Sequence, residues 1–119
     1  MTRWIAEEHV TWAFPDGQRR KGRIAIGEPE PAPGGETDCA YALDGLEYVA
    51  GPLKGSGAMQ ALRLALSFIG WKLQAFLAAG GRVLNEDGED AGIEAIFGPL
   101  LADKLRTSEP EEPDEPDEP

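Results

Sequence analysis

Met59, Leu62, Leu66, Ile69, Leu73 and Phe76 recur at alternating spacings of three and four residues, a pattern that only an α-helix gathers into one continuous stripe. Leu64, Phe68, Trp71 and Ala75 widen the apolar surface around one flank, leaving Gln60, Arg63, Ser67 and Gln74 as a narrow polar strip. Ser56 is placed to cap the start of this helix, and Gly80-Gly81 stops it, because glycine takes the left-handed position after a helix at little cost. A helix that is apolar over more than half its circumference needs cover on more than one side. The chain must therefore supply a sheet for it, and something further for its flank.

The residues before the helix supply the sheet. Across residues 4–14 the even positions Trp4, Ala6, Val10, Trp12 and Phe14 are apolar, with Glu8 the exception, while Glu7, His9 and Thr11 fall between them. Period two with aromatic and β-branched content predicts a half-buried strand. Pro15-Asp16-Gly17-Gln18 predicts a turn. Ile24 and Ile26 mark a hairpin partner over residues 21–27. Three prolines between residues 29 and 33 remove three amide donors and predict a loop. Alternation resumes over residues 38–43 with Cys39, Tyr41 and Leu43 on one face. Asp44-Gly45 predicts a type I′ turn into a fourth strand over residues 46–50, and residues 82–84 a short fifth one. Residues 51–55 read as a break between strand and helix. After the helix, residues 85–92 read as an acidic loop, and the apolar positions Ile93, Ile96, Phe97, Leu100, Leu101 and Leu105 predict a short helix over residues 99–106. The expected architecture is α+β: a four- to five-stranded antiparallel meander with one long helix on one face and a short C-terminal helix. One domain spans residues 1–106, and residues 107–119 form a disordered Glu/Asp/Pro tail.

Charge narrows the partners. Of 22 acidic residues against 11 Lys and Arg, seven lie in residues 108–119, which hold no base. Such a tail neither buries apolar area nor relieves its own repulsion. A nucleic-acid surface is disfavoured, since phosphate neutralisation needs clustered bases. The one basic cluster, Arg19-Arg20-Lys21-Gly22-Arg23, reads as a solvated hairpin end. A lone cysteine excludes an internal disulfide and suggests a reducing compartment, so a cytoplasmic location is expected. Polar interruptions at Gln60, Arg63, Ser67, Lys72 and Gln74 argue against a membrane span, and residues 1–8 lack the apolar run of a signal peptide.

No catalytic or cofactor constellation emerges. His9 and Cys39 would have to meet in an activating environment to form a nucleophile pair; a buried structural thiol is the default for Cys39. Glu7 and Glu8 point to opposite strand faces. Asn85-Glu86-Asp87-Gly88-Glu89-Asp90 offers oxygen ligands, but Asp90 and Ile96 stand where a calcium loop needs Gly and Glu, so no metal ligand set is assigned.

Gln60-Ala61-Leu62, Ala65-Leu66, Ile69-Gly70 and Leu73 on one helix, the strand Cys39-Ala40-Tyr41-Ala42-Leu43, the Pro-rich loop before it and Gly81-Arg82-Val83-Leu84 after it resemble a family of small uncharacterised bacterial domains. The resemblance covers roughly residues 5–97, rests on packing positions, and implies a meander followed by a helix. No activity is established for that family, so it implies no site residues. The residues themselves favour a non-enzymatic protein-interaction module with Leu64, Phe68 and Trp71 as its surface. Its partner is expected to be a basic protein, as for immunity or antitoxin proteins, or a second copy. Two alternatives remain open at this point: a small-molecule-binding or enzymatic domain using a cleft between the Pro-rich loop and the helix N-terminus, and a nucleic-acid mimic acting through the tail.

Overall fold

A computed structural model describes residues 2–46 and 51–91. Among the described residues, two antiparallel sheets and one helix make up the α+β fold. β1 (Trp4–Ala13) and β2 (Arg19–Gly27) form the long hairpin. Its turn closes through Phe14 N–H to the Gln18 oxygen (2.8 Å) and Gly17 N–H to the Phe14 oxygen (2.9 Å), with Gly17 at φ +94°. The predicted strand over residues 38–43 is in fact two. β4 (Thr37–Cys39) and β5 (Tyr41–Asp44) part at Ala40 and belong to different sheets. The large sheet runs β5-β2-β1-β7, with β7 (Arg82–Leu84) antiparallel to the end of β1. The small sheet joins β3 (Glu30–Pro31), β4 and β6 (Leu53–Gly55).

Three expectations change in detail. The Pro-rich segment contributes the two residues of β3, at an edge, where a proline costs no ladder bond. The break over residues 51–55 holds β6, which approaches the helix closely: a Cβ on Gly55 would lie 2.6 Å from the Ala61 nitrogen. At Asp44-Gly45 only the glycine has positive φ, with Leu46 N–H bonded to the Leu43 oxygen, so the turn is not type I′. The strand expected over residues 46–50, the C-terminal helix over 99–106 and the tail over 107–119 lie outside the described residues, apart from Leu46.

The N-cap of the helix α1 (Ala58–Ala78) is Gly57, not Ser56; the Ser56 N–H instead donates to Gln60 Oε1, at 2.6 Å. It ends as expected. Gly80 at φ +100° sends its N–H to the Leu77 oxygen, and Gly81 sends its own to the Phe76 oxygen. Phe76 lies against Gly81, where a Cβ would come within 2.4 Å of the ring. The buried stripe is Ala61, Ala65, Ile69 and Leu73. Met59, expected in it, is 81% exposed, and Leu66 is half-buried. The stripe is rotated toward small residues because α1 must lie close to β6 at one end and over the large sheet at the other. Ala61 and Ala65 pack with Cys39 and Ile26; Ile69 and Leu73 pack with Val10, Trp12, Ile24, Tyr41, Leu43 and Val83. By length and composition α1 would also suffice to cross a membrane. Here its buried stripe packs against both sheets.

Candidate interaction surface

Leu64, Phe68 and Trp71 follow one another at spacings of four and three, so they share a flank of α1. That flank overhangs β5, the outermost strand of the large sheet. Leu64 and Phe68 are half-buried and Trp71 is 43% exposed. Phe68 links sheet to surface. Its ring meets Tyr41 of β5 edge-on at 5.3 Å and Trp71 edge-on at 5.5 Å, and the Lys72 ammonium stands 5.4 Å from its centroid. The three rings form a ladder from core to solvent, with the indole as its outer rung. An aromatic side chain held by its neighbours loses little freedom when a partner covers it, which is why such anchors dominate interfaces. The cover expected from Ile96, Phe97, Leu100 and Leu101 lies outside the described residues.

The family model for Domain of unknown function (DUF6968) matches residues 8–95. The chain belongs to the DUF6968 family. The match takes in α1, every strand after β1, and all but the first four residues of β1. No curated protein and no solved structure matches the chain.

Elsewhere in this DUF6968 domain the chemistry-bearing residues are dispersed. Cys39 is fully buried, its thiol donating to the Gly27 oxygen at 3.4 Å, and burial pushes its pKa up. His9 is exposed on β1, 3.8 Å from Glu7, on the face of the large sheet away from α1. The two do not form a pair. Glu7 and Glu8 diverge as expected, and Glu8 is exposed on the α1 side of β1. Asn85 Oδ1 accepts the Asp87 and Glu89 amides, both at 2.9 Å, so this oxygen shapes the acidic loop. Among the described residues no group of three His, Cys, Asp or Glu could hold a metal ion. A hollow of about 180 Å³ beside the small sheet is lined by Thr2, Glu28, Glu30, Asp38, Ala40 and Pro52, none of them in α1. Lys54 neutralises its Asp38 at 2.9 Å, and that bond raises the Lys54 pKa.

Sequence reasoning missed a cluster on the outer face of the large sheet. A bulge between Trp4 and Ala6 reverses the alternation, so Trp4 leaves the apolar face where it was expected. Its ring lies 4.8 Å from the Arg23 guanidinium, which also reaches Glu7 at 3.4 Å and binds Asp44. The hydrogen bond to Asp44 is the main reason the Arg23 pKa rises. Arg20 lies 4.4 Å over the Phe14 ring and donates to the Gly45 oxygen. The basic cluster is thus partly structural: two of its four cations brace the sheet. No sequence signal marked it: the alternation is regular from Ala6 to Ala13, Glu8 included, and breaks only between Trp4 and Ala6.

Proposed function

We propose that this domain is a non-enzymatic protein-interaction module that engages a basic protein partner through Leu64, Phe68 and Trp71. The observation that carries this reading is the ring ladder Tyr41–Phe68–Trp71, which ends in a half-exposed indole beside the outer strand β5. Charge supports the choice of partner. The formal net charge is −11, and outside residues 108–119 acids still outnumber Lys and Arg by 15 to 11. Acidic potential of this kind speeds encounter with a basic surface, while the aromatic anchor supplies the desolvated contact. Neutralising or escorting such a partner, as immunity and antitoxin proteins do, fits both features.

The test is affinity capture with the full chain, identification of the captured protein, and titration of the purified pair. Trp71→Ala is expected to weaken binding at least about thirtyfold, as for an interface hot spot of ~2 kcal/mol. Met59→Ala, at a still more exposed position on another flank, is expected to leave it unchanged. Equal affinities for wild type and Trp71→Ala would overturn the proposal.

A further inference from the structure

The two flanks of α1 are not alike. Leu64, Phe68 and Trp71 lie toward β5; Leu62, Leu66 and Gly70 follow one another at a spacing of four on the other flank, where Leu66 borders β1. On the β1 side Gly70 is buried, and with no side chain it offers a notch in the helix surface. The sheet beneath is open there. β7 pairs only with Thr11, Trp12 and Ala13, so among the described residues β1 from Trp4 to Val10 has a partner on one side alone. Between that open edge and α1 runs a groove of about 180 Å³, lined by Ala6, Glu8, Ile24, Ile26, Leu66 and Ile69 and also bordered by Glu7 and Ala25. Except for the glutamates it is apolar.

The path of the chain says what is placed to fill it. After β7 the acidic loop turns the chain back, Asp90 bridges to Leu84, and the Ala91 N–H donates to the Val83 oxygen at 2.7 Å. Ala91 is buried in the same core cluster as Val83 and Leu73. The described chain therefore ends, at Ala91, on the β7 side of the large sheet, opposite β5. To reach Trp71 the following segment would have to pass around α1, a cylinder about 10 Å across. To reach Leu66 it need only run along the near flank, since Leu66 lies seven residues, or about 10 Å, along the axis from Leu73. Residues 93–105 carry Ile93, Ile96, Phe97, Leu100, Leu101 and Leu105 at helical spacings, enough for a strip of about 20 Å. Lys104 and Arg106 are the only bases after Arg82, and Glu8 gives them a counter-charge at the groove.

We propose that residues 93–105 dock along the Leu62–Leu66–Gly70 flank of α1 and over the open edge of β1, leaving the Leu64–Phe68–Trp71 flank uncovered. Whatever binds that other flank, the docking stands on the exit point and the groove. The test is methyl NOE spectroscopy of the full chain. Cross-peaks from Ile96, Leu100 and Leu101 methyls to Leu66 methyls are expected. Cross-peaks to the Trp71 indole instead would overturn the docking, as would the lack of any to either flank. In a full-length Leu100→Ala variant the amide shifts of Glu8, Leu66 and Gly70 should move while those of Leu64 and Trp71 hold; the reverse pattern overturns it. The affinity of Trp71→Ala is read separately, so either idea can fail without the other.

Discussion

Trp12 sits in a hollow made by two residues that lack side chains. A Cβ on Gly22 would lie 1.8 Å from the Asp44 oxygen and 2.5 Å from Trp12 Nε1, and one on Gly45 would lie 2.7 Å from the indole. Into that hollow the indole N–H donates to the Asp44 oxygen at 2.6 Å, with Phe76 meeting the ring edge-on at 5.7 Å. Gly22→Ala must displace backbone, so its cost should reach or exceed the ~1–3 kcal/mol typical of overpacking. Trp12→Phe leaves the Asp44 oxygen without its donor and should cost about 1–3 kcal/mol. Denaturant midpoints check both; a midpoint unchanged in Gly22→Ala would mean that the hollow is not formed. Cys39 gives a prediction in pH. Burial raises its folded-state pKa, so the unfolded chain loses the thiol proton first. The contribution is fully present below the unfolded thiol value of about 8.5 and declines as pH rises from there toward the folded value. Wild type should lose stability above about pH 8.5 more steeply than Cys39→Ala does, as read from urea midpoints across that range.

Ile69 and Leu66 separate the true axis of α1 from the one its spacing suggests. Ile69 is buried and Leu66 half-buried, so Ile69→Ala should cost about 2–5 kcal/mol and Leu66→Ala distinctly less. Chemical unfolding of the two variants gives the order; a larger loss at Leu66 would put the stripe back where the leucines alone place it. The period of α1, its glycine stop and the β1–β2 hairpin were legible because local spacing and turn chemistry determine them. The rotation of the stripe was not, since it depends on β6 approaching Ala61 through Gly55, and residues 51–55 read as a break with no strand. The same reason hides the division at Ala40: alternation along Cys39, Tyr41 and Leu43 continues unbroken while the hydrogen-bond partners change. Leu64, Phe68 and Trp71 were legible as a flank by their spacing, but the ladder through Tyr41 needed the fold. The Trp4–Arg23 cluster was invisible because a single extra residue in β1 inverts the face.

At the scale of the whole molecule, charge sets the conditions under which a basic partner would bind. With a net charge of −11, long-range attraction is screened as the Debye length shrinks from about 10 Å at 0.1 M salt to about 3 Å at 1 M. The association rate with the captured partner should therefore fall as salt rises, with a smaller change in the dissociation rate; stopped-flow mixing across a salt series measures both. Between the sheets, residues 37–44 form one extended stretch that hydrogen-bonds in the small sheet as far as Cys39 and in the large one from Tyr41. Gly27 N–H bonds the Ala40 oxygen at the crossing, and α1 rests on both sides of it. Neither sheet can peel away without drawing the shared stretch and the helix along. The consequence is cooperativity: the domain should melt in one calorimetric transition whose measured and van't Hoff enthalpies agree, with no half-folded species that retains a single sheet.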